Sequence, residues 1–151
     1  MEAVVGTVRE LFRAVHADLR SEVRGLDAAA LNWTPGEGTN SIAALVVHTL
    51  GSEAEVLRTV RDVAGERDRD AEFRVSAETA NDLVQALDDG DALLDEMTAG
   101  MTTADLAAVR LRGDREPQPG LYWLLSNYGH AREHLAHVQL TKQLYGMRQG
   151  T

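Results

Sequence analysis

The chain has 151 residues, of which 44% are hydrophobic and 26% are charged, and it contains no cysteine. This composition is typical of a globular protein, and the length leads us to expect one domain over residues 1–151. The lack of cysteine excludes disulfides, thiolate nucleophiles and cysteine-ligated metals. A formal net charge of −9 makes nucleic acid a poor partner, because an acidic surface repels the phosphate backbone.

The chain carries no pattern that directs a protein into or across a membrane. Its N-terminus lacks a basic region followed by an apolar run, so we expect no signal peptide. No apolar run approaches the roughly 20 residues that a membrane-spanning helix needs. We therefore expect a cytoplasmic protein with no membrane partner.

The first predicted helix covers residues 2–24, where apolar side chains recur at spacings of three and four. Its apolar stripe consists of Val4, Val8, Leu11, Phe12, Val15, Leu19 and Val23. Gly25 ends this helix. Residues 27–38 contain a proline and two glycines, and they are predicted to form a connecting loop anchored by Trp33.

Two further helices follow, with a charged segment between them. Asn40 or Ser41 can cap the second helix, which is predicted to end before Gly65. The charged segment GERDRDAEFR (65–74) is predicted to be a solvated loop. Ser76 is predicted to cap the third helix. The core face of the third helix is formed by Leu83, Leu87, Leu94 and Met97.

The last part of the chain contains one short helix and one long helix. Residues 103–107 are predicted to form the short helix, followed by an irregular loop, and residues 119–145 the long one. Four long helical patterns with polar connections must pack their apolar faces on each other. The sequence therefore predicts an all-α protein, an antiparallel four-helix bundle.

Three of the five histidines lie on one ridge of the last predicted helix. His130 and His134 are about 40° apart around the helix, and His137 lies about 20° from His130 on the other side. His134 is nearest the apolar stripe, and His137 is turned furthest from it. Residues four positions apart have Cβ atoms within roughly 5–6 Å, so this pair is close enough to share one ion.

His48 lies at the border of the apolar face on the second predicted helix. Its neighbours on that face are the small residues Ala44, Gly51 and Ser52, which leave room for a cleft. Two interpretations remain open at this point. The histidines form a metal site if the two helices bring them together, and otherwise they decorate the surface of an acidic helical protein.

Two segments resemble one known family, the DinB-like (YfiT-like) superfamily of metalloenzymes. The first is LNWTPGEGTNSIAALVVHTLGSEAEVL (31–57), with a Trp-x-Pro loop, a Ser-Ile helix start, a mid-helix histidine and a glutamate five residues later. The second is HAREHLAHVQLTKQLY (130–145), with two histidines four positions apart. The remaining helices follow the family's order along essentially the whole chain.

The resemblance implies a four-helix bundle that holds one divalent metal ion on three histidines. By position these are His48, His130 and His134. Members often have Gly-Gln shortly after the last ligand, where this chain has Ala136 and His137. Homodimers are common in the family. Some branches are transferases that use bacillithiol or mycothiol, and others are isomerases that use mycothiol.

Three functions are compatible with this site. The first is an enzyme that transfers an external low-molecular-weight thiol to a small-molecule electrophile, and the second is a metal-dependent hydrolase that uses water. The third is a non-catalytic bundle that binds a metal or a partner. Nickel or zinc is the favoured ion, and manganese and iron also accept imidazole.

Four other side chains are candidates around the site. Glu53 and Glu133 are candidate bases or supports of the metal ligands, although carboxylates on helices are more often solvated. Trp33 and Trp123 are candidates for lining a pocket, although large aromatic side chains are more often part of the core.

Overall fold

The structure is a computed structural model that describes residues 2–150, apart from the side chain of Gln149. Met1 and Thr151, which the one-domain prediction includes, lie outside the described residues. The chain forms four long helices: α1 (Ala3–Val23), α3 (Ile42–Arg61), α5 (Ala80–Ala99) and α7 (Gly120–Gln149). Three short helices connect them: α2 (Ala28–Asn32), α4 (Arg69–Glu72) and α6 (Thr103–Ala107). Two short strands, β1 (Val109–Arg110) and β2 (Gln118–Pro119), pair antiparallel.

The four long helices form a closed ring of neighbours, so the predicted all-α four-helix bundle is confirmed. Helix α1 packs on α5 and α7, and α3 packs on the same two helices. Helices α1 and α5 run in opposite directions, because Arg13 binds Asp95 whereas Arg20 binds Asp88. A strip of ion pairs therefore joins the polar edges of these two helices.

Helices α3 and α7 also run in opposite directions. His48 contacts His130, and one turn further along α3 Ser52 contacts Asn127. The antiparallel packing thus brings the middle of α3 beside the middle of α7, where the predicted metal ligands lie.

The two remaining neighbouring pairs run in the same direction, so the bundle has two helices pointing each way. A Cβ built on Gly90 of α5 would lie 2.8 Å from Leu50 of α3, and further along both helices Arg61 donates to the Met97 carbonyl. Because α3 and α5 are parallel, residues 62–79 must return along the bundle before α5 begins. This return segment carries α4 back to the side of α3.

Apolar side chains from all four long helices form the core. On α1 most of the predicted stripe is buried, but Leu11 is only half-buried, and Val5 is buried in place of Val4, which is 49% exposed. The largest fully buried apolar side chains are Phe12, Leu19, Leu31, Ile42, Leu57, Leu87, Leu94 and Leu124. Burial of this apolar surface supplies the main driving force for folding.

Helix α3 starts as predicted and ends earlier than predicted. The Ser41 side chain accepts a hydrogen bond from the Ala44 backbone N–H and caps the start. The helix ends at Arg61 and not near Gly65, because Asp62 has a left-handed backbone conformation with φ of 55°. Left-handed residues are a common way to end a helix.

Two predictions for the connections were wrong because polar side chains cap helices there. The predicted loop over residues 27–38 contains α2, whose first turn is capped by Asp27. The third long helix starts at Ala80 rather than after Ser76, because Thr79 and Asp82 form a reciprocal capping box. A capping box satisfies free N–H groups at a helix start, so it fixes where the helix begins.

The predicted irregular loop after Ala107 contains the two strands. Val109 lies opposite Pro119 and Arg110 opposite Gln118, so the chain folds back on itself before α7. The short helix over residues 103–107 is confirmed, with Thr102 as its cap. Among the helices of residues 2–150, none has both the length and the apolar character that a membrane span requires.

Candidate metal centre

Three histidine side chains from two helices meet between α3 and α7, and we call them the three-histidine cluster. His48 comes from α3, and His130 and His134 come from α7. Nε2 of His130 lies 3.2 Å from Nε2 of His48 and 3.0 Å from Nε2 of His134. One nitrogen atom of each ring lies within 4.8 Å of the other two. The structure thus brings together the three residues that were predicted as ligands.

These distances fit the coordination of a divalent ion by imidazole. Metal–nitrogen bonds of roughly 2.0–2.1 Å put neighbouring ligand atoms about 2.9–3.4 Å apart in octahedral or tetrahedral geometry. Nickel, zinc, manganese and iron all accept imidazole nitrogen, so the donor set suits this class of ion. Three protein ligands leave at least one coordination position free for a small molecule, as in catalytic rather than structural zinc sites.

The three imidazole rings are neutral at pH 7 without a metal. Burial lowers the pKa of His130 and of His134 to about 4, and the repulsion that protonated neighbouring histidine rings would exert adds to the shift, as do nearby arginines at His130. Burial also lowers the pKa of His48, although the carboxylate of Glu72 opposes this effect. Because only a neutral imidazole offers a lone pair to a metal, protons compete weakly for these side chains at pH 7.

A carboxylate that the sequence analysis did not single out orients His48. Nδ1 of His48 donates to Oε1 of Glu72 at 3.0 Å, which leaves the lone pair on Nε2 directed at His130. Arg67 donates to both oxygens of Glu72, at 2.9 and 2.8 Å. A Cβ on Gly51 would overlap the Glu72 carboxylate, so glycine at this position makes room for the interaction.

Glu72 lies in the charged segment that was predicted to be a solvated loop. Most of this segment is exposed, as predicted, but the prediction was wrong for the short helix and for Glu72. Residues 69–72 form α4, which is capped by Asp68, and Glu72 is only 8% exposed. Four acidic residues occur within GERDRDAEFR, and nothing in the pattern distinguishes the one that is buried. The distinction arises from the return segment, which packs α4 on α3.

Replacing Glu72 with alanine is expected to weaken metal binding about 10–100-fold, as is typical when a carboxylate that supports a histidine ligand is removed. The affinity is measured by competition with a metal-sensitive chelator, with circular dichroism to verify the fold. Glu66→Ala is the matched control, since Glu66 is an exposed carboxylate in the same connection. Equal metal affinity in the Glu72 and Glu66 variants would show that Glu72 does not support the centre.

An open cavity of about 140 Å³ adjoins His48 and His130. Ser52, one of the three small residues predicted to leave room beside His48, forms part of the cavity wall, whereas the Glu72 carboxylate fills the space at Gly51. Neither Trp33 nor Trp123 belongs to that wall. Trp33 packs against Tyr145, and the indole N–H of Trp123 donates to the Arg110 carbonyl.

The two carboxylates named as candidates from the sequence lie elsewhere. Glu53 is 2% exposed, so it is not a solvated carboxylate, and its Oε2 lies 2.8 Å from Nε2 of His16. Glu133 is exposed. Neither forms a hydrogen bond with the three-histidine cluster, and Glu72 takes the supporting position instead.

The two remaining histidines have different surroundings. His137 is exposed, and its Nδ1 lies 3.3 Å from Nδ1 of His134, on the side of that ring away from His130. His16 is fully buried, and its Nδ1 lies 2.7 Å from Oδ1 of Asp91 while Nε2 contacts Glu53. His16 is therefore part of a separate polar network between α1, α3 and α5.

The protein is thus a four-helix bundle in which three histidines from two of the helices form a candidate metal centre. The sequence profile of the DinB superfamily matches residues 11–138. The chain belongs to the DinB superfamily, which confirms the resemblance seen in the sequence. No curated protein matches the sequence.

Solved structures share the fold at low sequence identity. A conserved protein from Enterococcus faecalis is 14% identical, with a TM-score of 0.78 over 95% of this chain and 98% of that one. A DinB-like protein from Bacillus cereus is 13% identical, with a TM-score of 0.75 over 92% and 91%. A mutant of a mycothiol-dependent maleylpyruvate isomerase is 13% identical, with a TM-score of 0.68 over 87% of this chain and 59% of that one.

Proposed function

We propose that this protein is a metal-dependent enzyme in which His48, His130 and His134 bind one divalent ion, and that it transfers a low-molecular-weight thiol to a small electrophile. The observation that carries the proposal is the convergence of three imidazole rings, with Nε2 separations of 3.0 and 3.2 Å, beside an open cavity. Nickel or zinc is the expected ion, with manganese and iron as alternatives.

The side chains around the cavity have separate roles in this proposal. Glu72 and Arg67 hold the His48 ring so that Nε2 faces the ion. Ser52 and Asn127 form a polar wall against which a substrate is oriented. A bound divalent ion would lower the pKa of a thiol or water ligand, so that it becomes a nucleophile near neutral pH.

The thiol of this reaction must come from outside the chain, because the chain contains no cysteine. One of the proteins with a similar fold is a mycothiol-dependent isomerase, and for this reason mycothiol is the first thiol to test. Bacillithiol is the second, because the resemblance to the family implies both. We also propose that residues 1–151 form one domain, and that the protein is cytoplasmic and forms a homodimer.

The experiment starts from protein purified without a metal-chelating tag. We expect one equivalent of a divalent metal by mass spectrometry, either as purified or after nickel, zinc, manganese or iron is offered. The metal-loaded protein is then incubated with an electrophile and mycothiol, bacillithiol, glutathione or coenzyme A. The expected result is conjugation with one thiol that is absent in the His48→Ala variant.

The other outcomes contradict the proposal in different ways. Hydrolysis without any thiol would identify a metal-dependent hydrolase that uses water. Metal binding without turnover would favour a non-catalytic metal-binding bundle. If the protein takes up none of the metals offered, the three-histidine cluster is not a metal site.

A further inference from the structure

The cavity beside the three-histidine cluster is lined by positive charge, although the protein as a whole is acidic. Its wall includes Arg67, Arg69, Arg112 and Arg115 and no carboxylate. In a chain with 24 acidic and 15 basic residues, four arginines around one small cavity are a strong local departure from the average. A cleft lined by one sign of charge attracts ligands of the opposite sign.

Two of these arginines are held in place by carboxylates outside the wall. Arg67 binds Glu72 and Glu55, and Arg112 donates from Nε to Glu55 at 2.6 Å. Glu55 and Glu72 therefore balance two of the four positive charges. They also hold the guanidinium groups in fixed positions, which reduces the ordering needed when a ligand binds.

The other two arginines have no carboxylate partner among residues 2–150. The Arg69 guanidinium lies 5.1 Å from the centre of the Phe73 ring, and Arg115 forms no ion pair. Burial lowers the pKa of Arg112, with Glu55 opposing the shift and Arg115 and Arg67 adding to it by repulsion. The positive charge of the cavity is thus incompletely neutralised by the protein.

Two buried polar atoms of the wall residues also lack a hydrogen-bond partner among residues 2–150. They are Nδ1 of His130 and Oδ1 of Asn127. Nε2 of His130 faces His48 and His134, so Nδ1 is the ring nitrogen of His130 that is left for another partner. Buried polar groups without partners are rare in proteins, so each of these atoms indicates a missing ligand group or water.

We infer that this cavity binds the acidic group of the substrate, a carboxylate or phosphate of a small organic acid. Arg69 and Arg115 supply the free positive charge, and Arg112 offers a guanidinium that Glu55 holds in place beside Ser52. Guanidinium groups bind both oxyanions through paired N–H donors. Under the proposed function, on which this part of the inference rests, the anion would bring the rest of the substrate next to His48 and His130.

The test measures anion binding to the full-length protein by calorimetry, with and without zinc. The probes are malonate and inorganic phosphate, with the neutral malonamide as a control. Arg115→Gln and Arg69→Gln each remove one unpaired cation without breaking the ion pairs of Glu55 and Glu72. Arg24→Gln is the matched control, because Arg24 is an exposed arginine just after the end of α1.

We expect saturable binding of at least one anion to the metal-free protein, no binding of malonamide, and affinity about tenfold weaker in each cavity variant. Tighter binding of malonate would indicate a carboxylate on the substrate, and tighter binding of phosphate would indicate a phosphate group. Unchanged affinity in both cavity variants, or binding that occurs only with zinc, would overturn the inference and leave the metal centre intact. Anion binding in a protein that takes up no metal would support the inference while contradicting the proposed function.

Discussion

Replacing His134 with alanine is expected to abolish stoichiometric divalent-metal binding, whereas replacing His137 should leave most of it. The Nε2 atom of His134 lies 3.0 Å from that of His130, so its loss leaves two of three ligands. His137 contacts only the far side of the His134 ring and is exposed. Metal content after dialysis, measured by mass spectrometry, separates the two variants.

The two variants also test the assignment of ligands on α7. Both substitutions leave the apolar core intact, so circular dichroism should show a helical fold in each. Retention of metal in His134→Ala, together with its loss in His137→Ala, would mean that His137 is a ligand and His134 is not.

Replacing Glu53 with alanine is expected to destabilise the fold by about 3–5 kcal/mol while leaving the metal affinity of the folded protein unchanged. Glu53 is 2% exposed and contacts Nε2 of His16, which has no exposed surface, so its removal leaves that buried nitrogen without a partner while Nδ1 still contacts Asp91. Urea unfolding measures the free energy of unfolding. Glu53→Gln keeps the size and a hydrogen-bonding oxygen, and it should be less destabilising.

The opposite pattern would restore the sequence-based candidate role of Glu53. If Glu53→Ala folds with nearly the stability of the unmodified protein and loses metal affinity, then Glu53 supports the metal centre. Glu133→Ala is the surface control, since Glu133 was the other candidate and is exposed.

The same network gives a pH dependence with a defined sign. Burial lowers the pKa of His16, but hydrogen bonds and charge from Glu53 and Asp91 outweigh burial and raise it above its usual 6.5. The contribution of His16 to stability is therefore complete below about pH 6.5, and it is lost as the pH rises through the pKa of His16 in the folded protein. The pKa of Asp91 is lowered despite burial, because His16 and Arg20 bind it, so its contribution is lost as pH falls below about 4.

The stability difference between the unmodified protein and His16→Gln should accordingly be largest between about pH 4.5 and 6.5. It should shrink on both sides of that window. Urea unfolding at pH 5.5 and pH 8.5 checks the alkaline side. A difference that is larger at pH 8.5 would show that His16 is neutral in the folded protein.

The architecture and the ridge of histidines on α7 follow from periodicity in the sequence. Apolar residues repeat every three or four positions on each long helix. Helical geometry places residues at this spacing on one face, so the pattern predicts which face is buried. The same geometry predicts that His130 and His134 are neighbours. Helical geometry alone cannot predict that His48 lies beside them, because that contact depends on which face of α3 packs on α7. Only the family resemblance predicted that His48 joins the two α7 histidines.

The supporting parts of the site could not be predicted, because long-range packing selects them from ordinary polar residues. Glu72 reaches His48 only because α3 and α5 are parallel and the chain must return past α3. Arg112 and Arg115 follow β1 in a stretch that was predicted as an irregular loop, and the backward turn of the strands carries them to the cavity. His16 and Glu53 are 37 positions apart, and neither lies in a local motif.

The most direct test of the metal centre is an anomalous difference map from crystals of the zinc-loaded protein at the zinc absorption edge. We predict one strong peak between α3 and α7, roughly 2.0–2.1 Å from Nε2 of His48, His130 and His134. A peak bound by the two α7 histidines with the His48 ring out of bonding range, or zinc bound only elsewhere, would contradict the three-histidine centre.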